Sequence, residues 1–266
     1  MKHLLTLLAA GALLVWGTHM VRTGVLRVFG ANLRSLLARS MGNRFTAALS
    51  GIGVTALVQS STATSLMTAS FVGQGLISLP AALAVMRGAD IGTALMALLF
   101  STDLSWLSPL FIFVGVVLFL ARQETTAGRV GRVCIGLGLM LLALERITQA
   151  TDPMMASPVT QALLQSMGSA LLAEILIGAV LAIVSYSSLA VVLLIAAMAG
   201  SHIVPVPMAL AMVLGANLGN GLAAILTMAK SSVEVQQVTV GNMVFKIMGV
   251  LLMAPTIGLW LQYVQP

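Results

Sequence analysis

Gln59-Ser60-Ser61-Thr62-Ala63-Thr64-Ser65 is polar at every position except Ala63, and it interrupts two uncharged apolar runs, Phe45–Val58 and Leu66–Val72. Hydroxyl and amide groups at this density can donate to an anion, and their oxygens can surround a small hard cation. In hydrocarbon, irregular polar backbone is tolerated only where protein buries it or water reaches it. A helix that breaks there exposes N–H groups that attract anions. Ser and Thr also serve membrane helices as plain packing residues. The density of this cluster, and flanking runs too short to span alone, set it apart. The stretch therefore reads as a binding site for an anion, a cation or both.

The elements that must position it are membrane helices. Of 266 residues, 59% are hydrophobic and 8% charged, and the mean hydropathy is +1.06. Soluble domains carry about 25% charged residues, so the chain is expected to be an all-α, multi-pass integral membrane protein in a lipid bilayer, not a barrel. The pI near 10.5 does not indicate nucleic acid, because the basic residues sit between apolar segments as they do in cytoplasmic loops. Cys134 is alone, and His3, His19 and His202 are scattered without ligand spacing, so no transition metal is expected. No nucleophile–base set or nucleotide loop is present, and no catalytic residue or cofactor is assigned.

The first helix is expected from Leu4 to Arg22, retained and not cleaved as a signal. Arg22, Arg27, Arg34, Arg39 and Arg44 follow without an acidic residue, and Arg122, Arg129 and Arg132 face only Glu124. Both stretches are expected in the cytoplasm, the first along the membrane surface, with the N-terminus and Thr151–Pro158 outside. Phe45–Gly75 and Leu163–Ala199 read as hairpins broken at their polar clusters. Leu79–Phe100 and Pro205–Met228 read as crossings interrupted at Arg87–Thr93 and Gly215–Asn220. Trp106–Leu120, Val133–Thr148 and Val238–Tyr263 complete the crossings.

The halves align on themselves. Gly88-Ala89-Asp90-Ile91-Gly92-Thr93 matches Gly215-Ala216-Asn217-Leu218-Gly219-Asn220 at 215 − 88 = 127, and Gly11 lies opposite Gly138 at the same offset. Aligning Gln59 with Ser185 gives 126. One unit holds an odd number of crossings, so residues 1–132 and 133–266 are expected as two inverted-topology repeats of one transport domain. Such repeats place substrate and ions at their interface near the midplane.

At these residues the chain resembles the type II sodium/phosphate cotransporter family, in its bacterial branch, over nearly its whole length. The family carries a Gln-Ser-Ser-Ser-Ala-Thr motif in each repeat. The first copy, Gln59 to Thr64, differs only in Thr62. In the second, Ser185 stands for Gln, Tyr186 for the first Ser, Ser187 and Ser188 match, and Leu189 and Ala190 replace Ala and Thr. The resemblance implies inorganic phosphate held by Gln59, Ser60, Ser61, Thr62, Ser187 and Ser188. It implies sodium as coupling ion, with Thr55, Gln59, Ser65, Asp90, Thr93, Asn217 and Asn220 as its ligands. The losses in the second copy keep open a phosphate exporter or facilitator without sodium, and a non-transporting membrane phosphate sensor or scaffold.

The resemblance also implies the bacterial inner membrane, and a homodimer is kept open. Members of the branch usually continue into a further helix and a PhoU-like domain, which do not follow Pro266, so a short homologue and a truncated chain are both open. Arg87 and Asp90 share a helix face at i, i+3, where they can pair with each other or serve the site. Lys246 is expected within a turn or two of the inner surface, its head reaching out to water. Tyr186 is read as either a hydroxyl donor or a plug.

Overall fold

The computed structural model describes residues 2–123, 125–155 and 170–259. The helices are α1 (Lys2–Arg39), α2 (Arg44–Val58), α3 (Ser61–Gly73), α4 (Leu79–Phe100), α5 (Ser108–Ala121), α6 (Thr126–Met155), α7 (Leu171–Ser185), α8 (Ser188–Gly200), α9 (Val206–Met228) and α10 (Val233–Met253). Among the described residues five helical stretches are long and apolar enough to cross a membrane, and α2, α7 and α8 are shorter apolar helices. Large apolar side chains face outward, among them Phe45, Leu98, Leu120, Leu172 and Leu251. A bundle whose exterior is this oily has lipid as its solvent.

Three expectations are corrected. The first helix does not stop at Arg22: α1 runs 38 residues to Arg39, about 57 Å at 1.5 Å per residue. Its apolar stripe continues through Val21, Val25, Leu33 and Leu37, all buried, and that stripe holds the arginine-bearing half in the helix. The glycine motifs do not break their crossings, since α4 and α9 pass through them as continuous helix. Thr151–Pro158 is not a loop as far as it is described: helix α6 extends to Met155, and residues 156–158 lie outside the described residues, as do Glu124, Leu163–Gly168 and the end of the last crossing.

The glycines serve close packing. A Cβ on Gly51 would stand 2.2 Å from the Val85 carbonyl oxygen, one on Gly88 1.9 Å from that of Ala48, and one on Gly92 2.7 Å from that of Ile52. Only a missing side chain lets two helix backbones approach so closely. Gly88 beside Ala48 and Gly92 beside Ile52 show that α2 and α4 run the same way, so α3 must carry the chain back between them. The same arrangement recurs at offset 127: Gly178 meets Met212, Gly215 meets Ile175, and Gly219 meets Ala179. The helix starts follow suit, since 171 − 44, 188 − 61 and 206 − 79 all equal 127. Gly11 does not take part: nothing lies near it, whereas Gly138 packs on Ser108 and Ile112.

Helices α1 and α6 join the halves. Gly17 packs on Gly136 and Met140, and Gly24 on Val133 and Arg129. One register rises as the other falls, so the two helices are antiparallel.

Gly88→Ala and Gly215→Ala are each expected to lower stability by about 1–3 kcal/mol through overpacking. Gly53→Ala, with nothing within 4 Å of its Cβ, is expected to leave it unchanged. Thermal unfolding of the three variants in detergent checks this, and equal behaviour at all three sites contradicts the packing account.

Candidate functional site

Each half contains the same break. Helix α2 ends on Gln59 at φ 55°, ψ 30°, and α7 ends on Tyr186 at φ 50°, ψ 27°. Both residues are left-handed, a conformation that non-glycine residues rarely adopt and that often marks functional sites. The next residue is extended in both halves: Ser60 at −150°, 103° and Ser187 at −151°, 99°. Each serine hydroxyl then accepts from a backbone N–H three residues on, Ala63 or Ala190, at 3.2 Å. This is the N-cap bond that satisfies one of the four free N–H groups of a helix start.

The geometry corrects the register of the second motif by one residue. Tyr186 stands for Gln59, Ser187 for Ser60, Ser188 for Ser61, Leu189 for Thr62, Ala190 for Ala63 and Val191 for Thr64. The offset becomes 127 here too. The second copy thus keeps both leading serines and loses the amide and two later hydroxyls. Tyr186 is half exposed; its carbonyl accepts a 3.4 Å bond from Arg22.

The two breaks meet. Gln59, Ser60, Ser185 and Ser187 line one narrow cleft together with Thr18, His19 and Arg22 of α1, and its volume is about 10 Å³, on the order of a single water. Arg22 also donates to His19 Nδ1 at 2.9 Å, and the His19 ring stacks on Trp16 with centroids 5.6 Å apart. Among the described residues the cleft therefore holds one guanidinium, no carboxylate and two helix N-termini, an environment for an anion. Arg22 and His19 were not foreseen as site residues. Arg22 was read with the cytoplasmic arginines because nothing in the sequence showed that α1 continues past it.

The remaining predicted residues divide into three groups. Ser61 and Thr62 are buried beside Asn220: the Asn220 amide donates to Ser61 Oγ at 2.8 Å, and Thr62 donates to Asn220 Oδ1. Thr55 and Thr64 share a hydroxyl–hydroxyl bond of 2.8 Å, while Gln59 Oε1 and Ser65 Oγ are buried with no hydrogen-bond partner among the described residues. Ser188 is buried in the first turn of α8. Thr93 turns back on its own helix, bonding the Ala89 carbonyl at 3.0 Å, and joins none of these groups.

Asp90 and Asn217 are brought together, but by a residue placed elsewhere from the sequence. The Lys246 side chain is wholly buried, not reaching the surface; its ammonium donates to Asp90 Oδ1 at 2.6 Å and to Asn217 Oδ1. Packing of α10 against α4 and α9 turns this lysine inward. Arg87 pairs with Asp90 at 3.2 Å as the i, i+3 spacing allowed. It also bonds the Asn242 side chain and lies 4.7 Å over the Phe245 ring, a cation–π distance.

Among the described residues three larger cavities flank the bundle, and the largest, about 510 Å³, lies between Leu26, Gly30 and Arg34 of α1 and Met67 of α3. A second, of about 480 Å³, is lined by Arg27, Arg129 and Arg132, with no acidic residue among the described residues that line it. A third, about 470 Å³ and near the far end of α6, carries Asp103 and Glu145 and no basic residue among the described residues that line it. The Ser105 hydroxyl and N–H hold Asp103 below the usual carboxylate range, so this mouth is negative and repels anions. Among the described residues no group of His, Cys, Asp and Glu could hold a metal ion.

With this geometry established, comparison with known proteins decides the family. The Na+/Pi-cotransporter family model matches residues 13–149 and again 152–264. The chain belongs to the Na+/Pi-cotransporter family. It is 52% identical over 259 residues to the Escherichia coli K12 protein named "Putative inorganic phosphate export protein YjbB", covering 97% of this chain and 48% of that one. Its namesake in Salmonella typhimurium is 52% identical over 255 residues, 96% of this chain and 47% of that one. "Uncharacterized protein YqeW" of Bacillus subtilis is 21% identical over 242 residues, 90% of this chain and 78% of that one. The chain spans about half the length of the enterobacterial relatives it matches. No solved structure matches it.

Arg22→Ala is expected to weaken phosphate binding about tenfold or more, since a hydrogen bond to a charged group contributes roughly 1.5–3 kcal/mol. Gln59→Ala should act in the same direction. Tyr186→Phe should leave affinity unchanged, because Tyr186 meets Arg22 through its carbonyl and its half-exposed side chain does not line the cleft. Titration of the purified variants with phosphate checks all three, and a loss at Tyr186→Phe alone would reverse the assignment.

Proposed function

We propose that this chain is the membrane part of a secondary transporter that moves inorganic phosphate across the bacterial inner membrane. The observation that carries this is the cleft: both halves present a capped helix N-terminus to it, and among the described residues that line it Arg22 is the one with a permanent charge and none is a carboxylate. Family membership points the same way, and the names of the family and of its relatives speak of transport, not catalysis.

The repeats of residues 1–132 and 133–266 are read as inverted, with α2–α3 and α7–α8 as re-entrant hairpins. The antiparallel α1–α6 pair and the constant offset of 127 support this, and inverted repeats seat their substrate at the shared interface. At about 10 Å³ the cleft is too small for phosphate, so loading requires the halves to part, as alternating access demands. The arginine-lined cavity marks the expected cytoplasmic end, and its charge concentrates phosphate there.

Sodium coupling would use Gln59 Oε1 and Ser65 Oγ, buried oxygens without partners beside the Thr55–Thr64 pair. A second reading is export or facilitated passage without sodium. One observation favours it: Asp90 and Asn217, two of the expected cation ligands, already hold the Lys246 ammonium.

Phosphate flux into proteoliposomes, with and without an imposed sodium gradient, tests these readings. Flux that follows the gradient supports coupling. Gradient-independent flux supports the exporter or facilitator. Phosphate binding without flux would leave a membrane sensor and defeat the transport proposal.

A further inference from the structure

Asp90 and Asn217 are separated by 217 − 90 = 127 residues, the repeat offset, so they are equivalent positions on α4 and α9. Both halves thus aim a side-chain oxygen at one point. Lys246 of α10 places its ammonium there, 2.6 Å from Asp90 Oδ1 and against Asn217 Oδ1. Its side chain has no solvent exposure. The stem is accommodated by Gly221, where a Cβ would come within 2.9 Å of Lys246 Cδ. A carboxylate and an amide oxygen around a compact positive charge form the donor set that a small hard cation takes.

The charge sits close to the motif hydroxyls. Asn217 and Asn220 are one helical turn apart on α9, and Asn220 bonds Ser61 and Thr62. Arg87 adds a second cation to Asp90 at 3.2 Å, so two positive groups and one negative leave the cluster with one more cation than anion. A lone ion pair needs no such arrangement, since one cation already neutralises Asp90.

We propose that Lys246 is a tethered cation. Its ammonium fills the position that an exchangeable monovalent ion would take between the two halves. It supplies that charge permanently to the hydroxyl cluster through the Asn217–Asn220 turn, and it removes one ion from the transport stoichiometry. The effect on phosphate rests on the proposed phosphate site; the occupancy of the ion position does not.

Lys246→Ala in the full chain opens the position. In N-methyl-D-glucamine buffer its affinity for inorganic phosphate is expected to fall about tenfold or more, a loss equivalent to about 1.4 kcal/mol. Sodium, lithium or methylammonium should restore it. Without phosphate, its thermal midpoint should rise with sodium concentration more steeply than that of the unmodified chain, because an ion that binds only the folded state stabilises it. Adding Asp90→Asn should abolish the rescue.

A folded Lys246→Ala protein that ignores all three cations overturns the proposal. If that variant folds in none of them, Lys246→Gln decides, because its amide can still bond Asp90 and Asn217 while carrying no charge. A tenfold loss of phosphate affinity in Lys246→Gln without cation rescue supports the proposal, and unmodified affinity overturns it. Failure of both variants to fold in every cation also overturns it, leaving a structural ion pair. Sodium-dependent stabilisation of Lys246→Ala alongside an unmodified chain that does not bind phosphate would defeat the phosphate reading and keep the tethered cation.

Discussion

Helix ends within an apolar bundle must find partners for their free N–H and C=O groups, and this constraint organises the protein. Four ends, those of α2, α3, α7 and α8, meet at the two breaks. Ser60 and Ser187 cap the two starts through bonds to Ala63 and Ala190. Gln59 and Tyr186 turn the chain through the left-handed region just before them. The N–H groups left over in each first turn are what an anion can use, so the solution to a folding problem also supplies the proposed binding surface.

Holding those breaks in place requires rigid neighbours, and the glycine contacts provide them. Gly51, Gly88 and Gly92 press α2 onto α4 backbone to backbone, and Gly178, Gly215 and Gly219 do the same for α7 and α9. With no hydrophobic drive between helices in lipid, close van der Waals contact is the main source of association. Because α2 is fixed against a long spanning helix, the position of its broken end is fixed too. The antiparallel α1–α6 pair then brings the two ends together and adds Arg22 to the cleft they share.

The two halves are alike in backbone and unlike in chemistry. The first keeps Gln59, Thr62, Thr64 and Ser65, where the second has Tyr186, Leu189, Val191 and Val192. Asn220 reaches across to Ser61 and Thr62, whereas its counterpart Thr93 bonds only within its own helix. Polar bonding across the interface therefore favours the first motif. Asp90 has become Asn217 in the second half, and Lys246 spans the pair, so a position that repetition would make symmetric carries one carboxylate and one cation from outside either glycine motif.

The membrane class, the helix pairs on either side of the polar breaks, the 127-residue offset and the polar cluster were all legible in the sequence. Each depends on local composition or periodicity: apolar runs long enough for helix, and hydroxyls where lipid would not tolerate them. The resemblance to the phosphate cotransporters rested on the same local motifs. The one-residue register of the second motif was not legible, because Ser185-Tyr186-Ser187-Ser188 offers serines at both alignments and only the left-handed residue identifies the turn. Nor was the role of the glycines, since a glycine that breaks a helix and one that packs it read alike. The inward placements of Arg22 and Lys246 were decided by tertiary structure alone. A long basic side chain in an apolar helix can reach out to water or turn inward, and the choice depends on whether a neighbouring helix presents an oxygen. Tyr186 supplies that oxygen for Arg22, and Asp90 and Asn217 supply it for Lys246, from residues more than a hundred positions away except for Asn217.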